Sequence, residues 1–142
     1  MQSVRPINEL TADAGRQTGG CLCGGVRYVV NGPLRGVIAC HCSQCRRTSG
    51  HYAAMSNASS EHLELTTSHT LTWYESSAIA ERGFCGTCGS NLFWRQFDSD
   101  TTSITAGTLD TPTGVAMEQH IFVADKGDYY TLEDDLPKLA AW

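Results

Sequence analysis

Seven cysteines fall into three short clusters along this 142-residue chain. The clusters read CLC at 21–23, CHCSQC at 40–45 and CGTC at 85–88. An odd number of cysteines cannot be paired completely in a disulfide framework. Cysteines one or two residues apart are poorly placed to bridge each other, but they can present their sulfurs to one metal ion. The clusters therefore predict metal sites rather than disulfides.

Chain reach indicates how the seven sulfurs divide. The three cysteines at 40–45 can converge locally, whereas the pairs at 21–23 and 85–88 can join distant parts of the chain in one tetrahedral site. Four thiolates complete a structural zinc site, and three leave one position open, as catalytic sites do. We predict two zinc ions per chain. The ligands expected for the structural ion are Cys21, Cys23, Cys85 and Cys88. The ligands expected for the catalytic ion are Cys40, Cys42 and Cys45.

Glycines next to both distant pairs support metal-binding turns. Gly24 and Gly25 follow the first pair, and Gly86 and Gly89 accompany the second. Glycine tolerates a positive φ and lets backbone N–H groups approach the sulfurs. The alternative, in which reduced cysteines pack as small apolar residues, does not explain three clusters with this glycine pattern.

Charged and imidazole side chains close to the 40–45 cluster are further candidates. Arg46 and Arg47 follow its last cysteine and could bind the carboxylates of a substrate, although surface arginines that balance thiolate charge are an equal alternative. His41 is expected to point away from the metal and to donate a hydrogen bond behind the ligands. His51 is a less favoured fourth ligand. Arg82 is expected to form a structural ion pair.

Composition restricts the class of protein. The formal net charge is −5, which disfavours nucleic acid and anionic membranes as partners. The sequence has no run of about 20 apolar residues and no signal pattern, and free thiols suit the reducing cytoplasm. We expect a polar N-terminal tail at 1–18 and one zinc-binding domain at 19–142. The oligomeric state is left open.

Short runs of β-forming residues separated by turn residues predict a mainly β fold. No window of a dozen residues has a convincing helical period. One helical turn is expected at 132–139. The predicted strands are 26–30, 36–39, 52–55, 63–65, 71–74, 79–84, 92–95, 103–106 and 120–124.

Four motifs, in this order, resemble the glutathione-dependent formaldehyde-activating enzyme family. They are GGCLCGGVRY at 19–28, ACHCSQCRRTSG at 39–50, ERGFCGTCGSNLFW at 81–94 and HIFVADKGDYY at 120–130. The resemblance implies an Mss4-like domain of coiled antiparallel sheets, zinc as cofactor, and the same structural and catalytic cysteines. It also implies a reaction that joins formaldehyde to glutathione as S-hydroxymethylglutathione, formally the reverse of a carbon–sulfur lyase.

Three functions remain open at this point. The first is a carbon–sulfur lyase-type enzyme acting on a thiol–aldehyde adduct, with a small thiol such as glutathione as partner. The second is a non-catalytic zinc module that binds a protein, and the third is a zinc hydrolase of the same architecture. The three-cysteine cluster favours an enzyme, because a binding module has no need of an incompletely coordinated metal.

Overall fold

The computed structural model describes residues 15–142 of the chain. The predicted tail at 1–18 therefore lies outside the described residues except for its last four positions. Two of these, Gln17 and Thr18, belong to the first strand. The predicted limits of the tail and the domain stay predictions.

Ten strands, one α-helix and three short 3₁₀ turns form the described part of the chain. The strands are β1 Gln17–Gly20, β2 Arg27–Val30, β3 Val37–Cys40, β4 Ala53–Ser59, β5 Leu63–Thr67, β6 Leu71–Glu75, β7 Ala80–Cys85, β8 Asn91–Gln96, β9 Thr101–Thr105 and β10 Met117–Ile121. The helix is α1 Ser43–Ser49, and the 3₁₀ turns are Ser60–His62, Ala106–Thr108 and Val123–Asp125.

The strands build two sheets. A seven-stranded sheet has the order β10-β3-β4-β9-β8-β7-β6, and a three-stranded sheet has the order β1-β2-β5. All neighbours are antiparallel except β10 and β3, which run parallel. The mainly β, Mss4-like fold class predicted from the sequence is confirmed.

The core lies where the small sheet packs against the large one. Tyr28 of β2 is almost fully buried and meets Phe93 of β8 edge to face, with ring centroids 5.4 Å apart. The Tyr28 hydroxyl is hydrogen-bonded to Thr108, which satisfies its one polar group in the interior. A Cβ at Gly19 would come within 2.3 Å of this hydroxyl, so the small sheet approaches closely only with glycine at this position.

Sequence and structure differ at four elements, of which the first is the unpredicted strand β1. Helix α1 was not predicted, because its seven residues are too few to show a helical period. The last strand begins at Met117 rather than at residue 120. The expected helical turn at 132–139 is wrong, because this segment is irregular and forms a β-bridge to β10 through Lys138.

Candidate functional site

The four-cysteine cluster forms where two turns meet. Cys21 and Cys23 lie between β1 and β2, Cys85 is the last residue of β7, and Cys88 lies in the following turn. The four sulfur atoms lie within 4.8 Å of one another. Cys23 Sγ lies 3.6 Å from Cys21 Sγ and 3.6 Å from Cys85 Sγ. A tetrahedral zinc with bonds of about 2.3 Å holds its sulfurs about 3.8 Å apart, so this set of donors fits such an ion.

Backbone N–H groups already point at these sulfurs. Val26 donates to Cys21 Sγ at 3.2 Å, while Thr87 and Cys88 donate to Cys85 Sγ at 3.4 and 3.3 Å. Gly24 and Gly89 adopt φ values of 84° and 80° in the two turns, in the left-handed region that glycine permits. N–H groups arranged in this way stabilise thiolates before any metal binds.

Two hydroxyl groups add to this stabilisation. A hydrogen bond with Thr70 lowers the pKa of the Cys85 thiol. A hydrogen bond with Ser90 lowers the pKa of Cys88 to about 5. Because the thiolate is the form that binds metal, these contacts favour the required ionisation state at Cys85 and Cys88. At Cys23 the Gly25 N–H acts in the same direction, but hydrogen bonds with Cys85 and Cys21 outweigh it and raise the pKa to about 11.

The three-cysteine cluster is built by the junction between β3 and α1. Cys40 ends the strand, Cys42 is the residue that caps the helix, and Cys45 lies in its first turn. The Cys42 side chain accepts the Cys45 N–H at 3.3 Å, which closes the N-terminus of the helix. The three sulfur atoms lie within 4.8 Å of one another. A short helix thus brings the sulfurs together, and thiolate donors again suit zinc.

The sulfurs of this cluster differ in acidity. The hydrogen bond from Cys40 and, after it, the charge of Arg82 lower the pKa of Cys45 to about 6, although burial acts in the opposite direction. The same hydrogen bond with Cys45 raises the pKa of Cys40, and burial raises that of Cys42. Cys45 is therefore the sulfur of this cluster that ionises first.

Arg82 contacts the three-cysteine cluster from another strand. It lies on β7, and its Nη2 atom is 3.6 Å from Cys45 Sγ. The guanidinium also donates to Gln44 Oε1 at 3.0 Å, and the Gln44 amide donates to the Ser76 carbonyl at 2.8 Å. Within the described residues Arg82 pairs with no carboxylate, and its partners are the Gln44 amide and the sulfur of Cys45. The only ion pair that these contacts allow is with the Cys45 thiolate. The sequence position of Arg82, three residues before Cys85, gave no sign that it reaches the other cluster.

A pocket of about 670 Å³ extends from the three-cysteine cluster across one face of the large sheet. Side chains alternate across a strand, so residues two apart reach the same face. The pairs that line the pocket in this way include Ile38 with Cys40, Met55 with Asn57, and Thr101 with Ser103. Arg35 and Arg82 also line it. The cavity has the size of small-molecule sites.

Arg46 and Arg47 lie elsewhere. Both line a separate hollow together with Lys126 and Tyr129, and neither is among the residues that line the pocket at the cysteines. They follow Cys45 along a helix, where successive side chains point in different directions. Their role in substrate binding stays a prediction.

His41 faces the side of β3 opposite to the pocket, where it joins a hydrogen-bonded chain. Its Nδ1 atom lies 3.0 Å from the Tyr130 hydroxyl, and its Nε2 atom lies 2.9 Å from His120 Nδ1. His120 Nε2 lies 2.8 Å from Asp134. A carboxylate only accepts hydrogen bonds, so His120 donates to Asp134. When both imidazoles are neutral, His41 therefore donates to His120, and the Tyr130 hydroxyl donates to His41. His41 is thus a hydrogen-bonding residue behind the cluster and not part of it.

Two other histidines complete the comparison with the sequence. His51 is hydrogen-bonded to the Tyr129 hydroxyl at 2.5 Å and does not belong to the three-cysteine cluster. His120, to which the sequence gave no role, is buried and central to the chain of hydrogen bonds. Only the tertiary structure brings it next to His41, because 79 residues separate the two.

Together, fold and clusters define a mainly β protein with two sulfur sites that could hold metal ions, one of which opens into a pocket. No described helix is long and apolar enough to span a membrane. Residues 16–125 match the family model described as glutathione-dependent formaldehyde-activating enzyme. The match covers most of the chain, which belongs to this family.

One solved structure similar to this chain is that of a Rhodobacter sphaeroides protein. The two share 26% sequence identity with a TM-score of 0.56, over 70% of this chain and 98% of that protein. No curated protein matches the chain.

Proposed function

We propose that the chain is a zinc-dependent enzyme of the carbon–sulfur lyase type, which forms or breaks the bond between a thiol and an aldehyde. Glutathione and formaldehyde are the reactants that the family description suggests. The observation that carries the proposal is the position of Cys40, Cys42 and Cys45 at a pocket large enough for a small thiol. A protein-binding module would not require its sulfurs to open into such a pocket.

In this proposal the two clusters have different tasks. Cys21, Cys23, Cys85 and Cys88 hold a structural zinc, while Cys40, Cys42 and Cys45 hold a catalytic zinc. When bound at the second cluster, zinc supplies a Lewis acid and a place for a thiol sulfur. All seven cysteines are free thiols in the structure, which suits the reducing cytoplasm as location.

The reaction is an addition that needs no further reactant. The thiol sulfur attacks the aldehyde carbon, a carbon–sulfur bond forms, and the carbonyl oxygen becomes a hydroxyl group that carries the proton lost by the thiol. The reverse reaction breaks the same bond. Because both reactants are small, the main task of the protein is to hold them together in the right orientation.

The chain supplies this orientation through the sheet face and through Arg82. The polar side chains of Thr101 and Ser103 offer hydrogen bonds on the floor of the pocket. Arg82 provides positive charge next to Cys45 and is fixed by Gln44. A fixed cation at this end of the pocket stabilises negative charge that develops on sulfur or on the aldehyde oxygen.

Exchange spectroscopy by nuclear magnetic resonance tests the proposal directly. Free glutathione and S-hydroxymethylglutathione interconvert in a mixture of glutathione and ¹³C-formaldehyde, and the protein should accelerate this exchange in both directions. Cys42→Ser should return the exchange rate to that of the mixture without protein. Ser49→Ala, at the exposed end of the same helix, is the matched control and should keep the full rate.

If wild-type protein with both metal sites filled leaves the exchange rate unchanged, it is not an enzyme for this reaction. If Cys42→Ser accelerates exchange as well as the wild type does, the chemistry takes place at another site.

A further inference from the structure

Among the described residues, two arginines outside the pocket are paired with carboxylates, whereas one arginine that lines the pocket is not. Arg27 is paired with Asp110 at 2.6 Å, and Arg95 is paired with Glu81 at 2.8 Å. Neither lines the pocket. Arg35 does line it, and no carboxylate in the described part of the chain pairs with it. The pocket thus contains a cation whose charge no acidic side chain of residues 15–142 balances.

The position of Arg35 is fixed by the neighbouring strand. Its backbone N–H donates to the Asn57 carbonyl at 3.0 Å, and its carbonyl accepts from the Ser56 hydroxyl at 2.5 Å. Its side chain donates from Nε to the Gly36 carbonyl and from Nη2 to the Met55 carbonyl, at 3.2 and 3.0 Å. A guanidinium has five N–H donors. Two are used here, and the others have no hydrogen-bond partner among the described residues.

Strand register gives the separation between this guanidinium and the cysteine cluster. Met55, whose carbonyl Arg35 contacts, is paired with Ile38, and Ala53 is paired with Cys40. Two residues along a strand span about 7 Å. The guanidinium therefore lies about 7 Å along the sheet from the level of Cys40.

Burial without an acidic partner among residues 15–142 favours the binding of an anion at this cation. Desolvation lowers the pKa of Arg35 to about 10, so the side chain still carries its charge at neutral pH. A partly buried charge is stabilised when a partner of opposite charge and matching geometry binds. A carboxylate matches the planar fork of the guanidinium with two parallel hydrogen bonds.

We propose that Arg35 binds a carboxylate of the thiol substrate and selects thiols that carry a carboxylate on the order of 7–10 Å from the sulfur. The position of the sulfur rests on the proposed function, whereas the carboxylate contact itself needs no turnover. Arg82 is a weaker candidate for this contact, because Gln44 and Cys45 already occupy part of its guanidinium.

Isothermal calorimetry with S-methylglutathione tests the inference, because this ligand keeps the carboxylates and has no reactive thiol. Arg35→Met should weaken its binding by about 10- to 150-fold, the range for a charge-assisted hydrogen-bond pair. Arg35→Lys should give an intermediate loss, since it keeps the charge but lacks the fork. The diethyl ester of S-methylglutathione should bind weakly to wild type and equally weakly to Arg35→Met.

Control variants separate this contact from general charge effects. Arg16→Met removes an exposed cation ahead of β1 and should bind S-methylglutathione as wild type does. Circular dichroism must show that Arg35→Met is folded, and Arg35→Lys provides the measurement if it is not. Wild-type affinity in Arg35→Met, equal affinity of wild type for acid and ester, or a loss that follows Arg46→Met instead would overturn the inference.

The calorimetric test of the Arg35 contact gives an answer whether or not the protein catalyses the proposed reaction. Catalysed adduct exchange together with binding insensitive to Arg35 would remove this residue from the site and leave the reaction in place. Binding of S-methylglutathione that depends on Arg35, without any catalysed exchange, would support the carboxylate site and reject the reaction. No measurable binding to wild type at millimolar ligand would overturn the inference.

Discussion

The two cysteine clusters use the same side chain in different surroundings. In the four-cysteine cluster, Cys21 and Cys85 are part of the hydrophobic core, and backbone N–H groups point at their sulfurs. In the three-cysteine cluster all three residues line an open pocket, and the side-chain charge of Arg82, which Gln44 holds in place, lies next to the sulfur of Cys45. Thiol chemistry alone does not distinguish the clusters, but the groups around the sulfurs do.

The difference also lies in what each cluster connects. The four-cysteine cluster joins the β1–β2 turn to the β7–β8 turn, more than sixty residues away in sequence and on the other sheet. The three-cysteine cluster lies within one strand–helix junction. A metal at the first should therefore hold the two sheets together, whereas a metal at the second can be lost without separating distant elements.

The largest expected effect is on folding. Cys88→Ser should remove a ligand between the two sheets, and loss of a structural zinc can abolish folding. Cys42→Ser should keep most of the fold, because its cluster is local. Thermal melts followed by circular dichroism compare the two variants. If Cys42→Ser unfolds the chain and Cys88→Ser melts as wild type does, the assignment of the two clusters is reversed.

A smaller effect concerns how tightly each metal is held. We expect near two zinc ions per chain before chelation and a fall toward one after mild chelation. The ion with three protein ligands should leave first, because it has an exchangeable position and a pocket through which a chelator can approach. Elemental analysis before and after chelation measures this, and Cys42→Ser, which should begin near one, is the control. Folded protein without zinc whose cysteines have formed disulfides would contradict both sites.

The smallest effect concerns the hydrogen-bonded chain behind the three-cysteine cluster. The hydrogen bond from His120 lowers the pKa of Asp134 to about 2, below the unfolded value of about 3.9. The resulting stability is present above that unfolded value and is lost as the pH falls toward 2. Asp134→Asn should therefore be less stable than wild type at pH 7, and the difference should shrink between about pH 4 and pH 2.

Denaturant unfolding of wild type and Asp134→Asn at each pH measures the difference between their free energies of unfolding. Any loss of metal in acid affects both proteins and therefore cancels in this difference. Asp135→Asn is the matched control, since Asp135 is exposed and directly adjacent. A difference between Asp134→Asn and wild type that stays constant down to pH 2 would mean that the carboxylate does not stabilise this chain.

Much of the fold followed from local patterns. Alternating β-forming residues and turn residues located nine of the ten strands, and β1 was missed because its sequence, QTGG, contains two glycines and no β-branched apolar residue. Helix α1 was missed because it depends on Cys42 as its cap and on Gly50, with a φ of 80°, at its end. Both signals are too short to be recognised as a periodic pattern.

The sequence by itself determined which cysteines come together, because residues within one short motif must stay close and the two remaining pairs complete a tetrahedral set. Only the tertiary structure decided which other residues accompany them. Arg82 reaches Cys45 across 37 residues, and Arg35 joins the same pocket through the pairing of β3 with β4. Sheet pairing is a long-range property, and single arginines carry no spacing from which such contacts can be inferred.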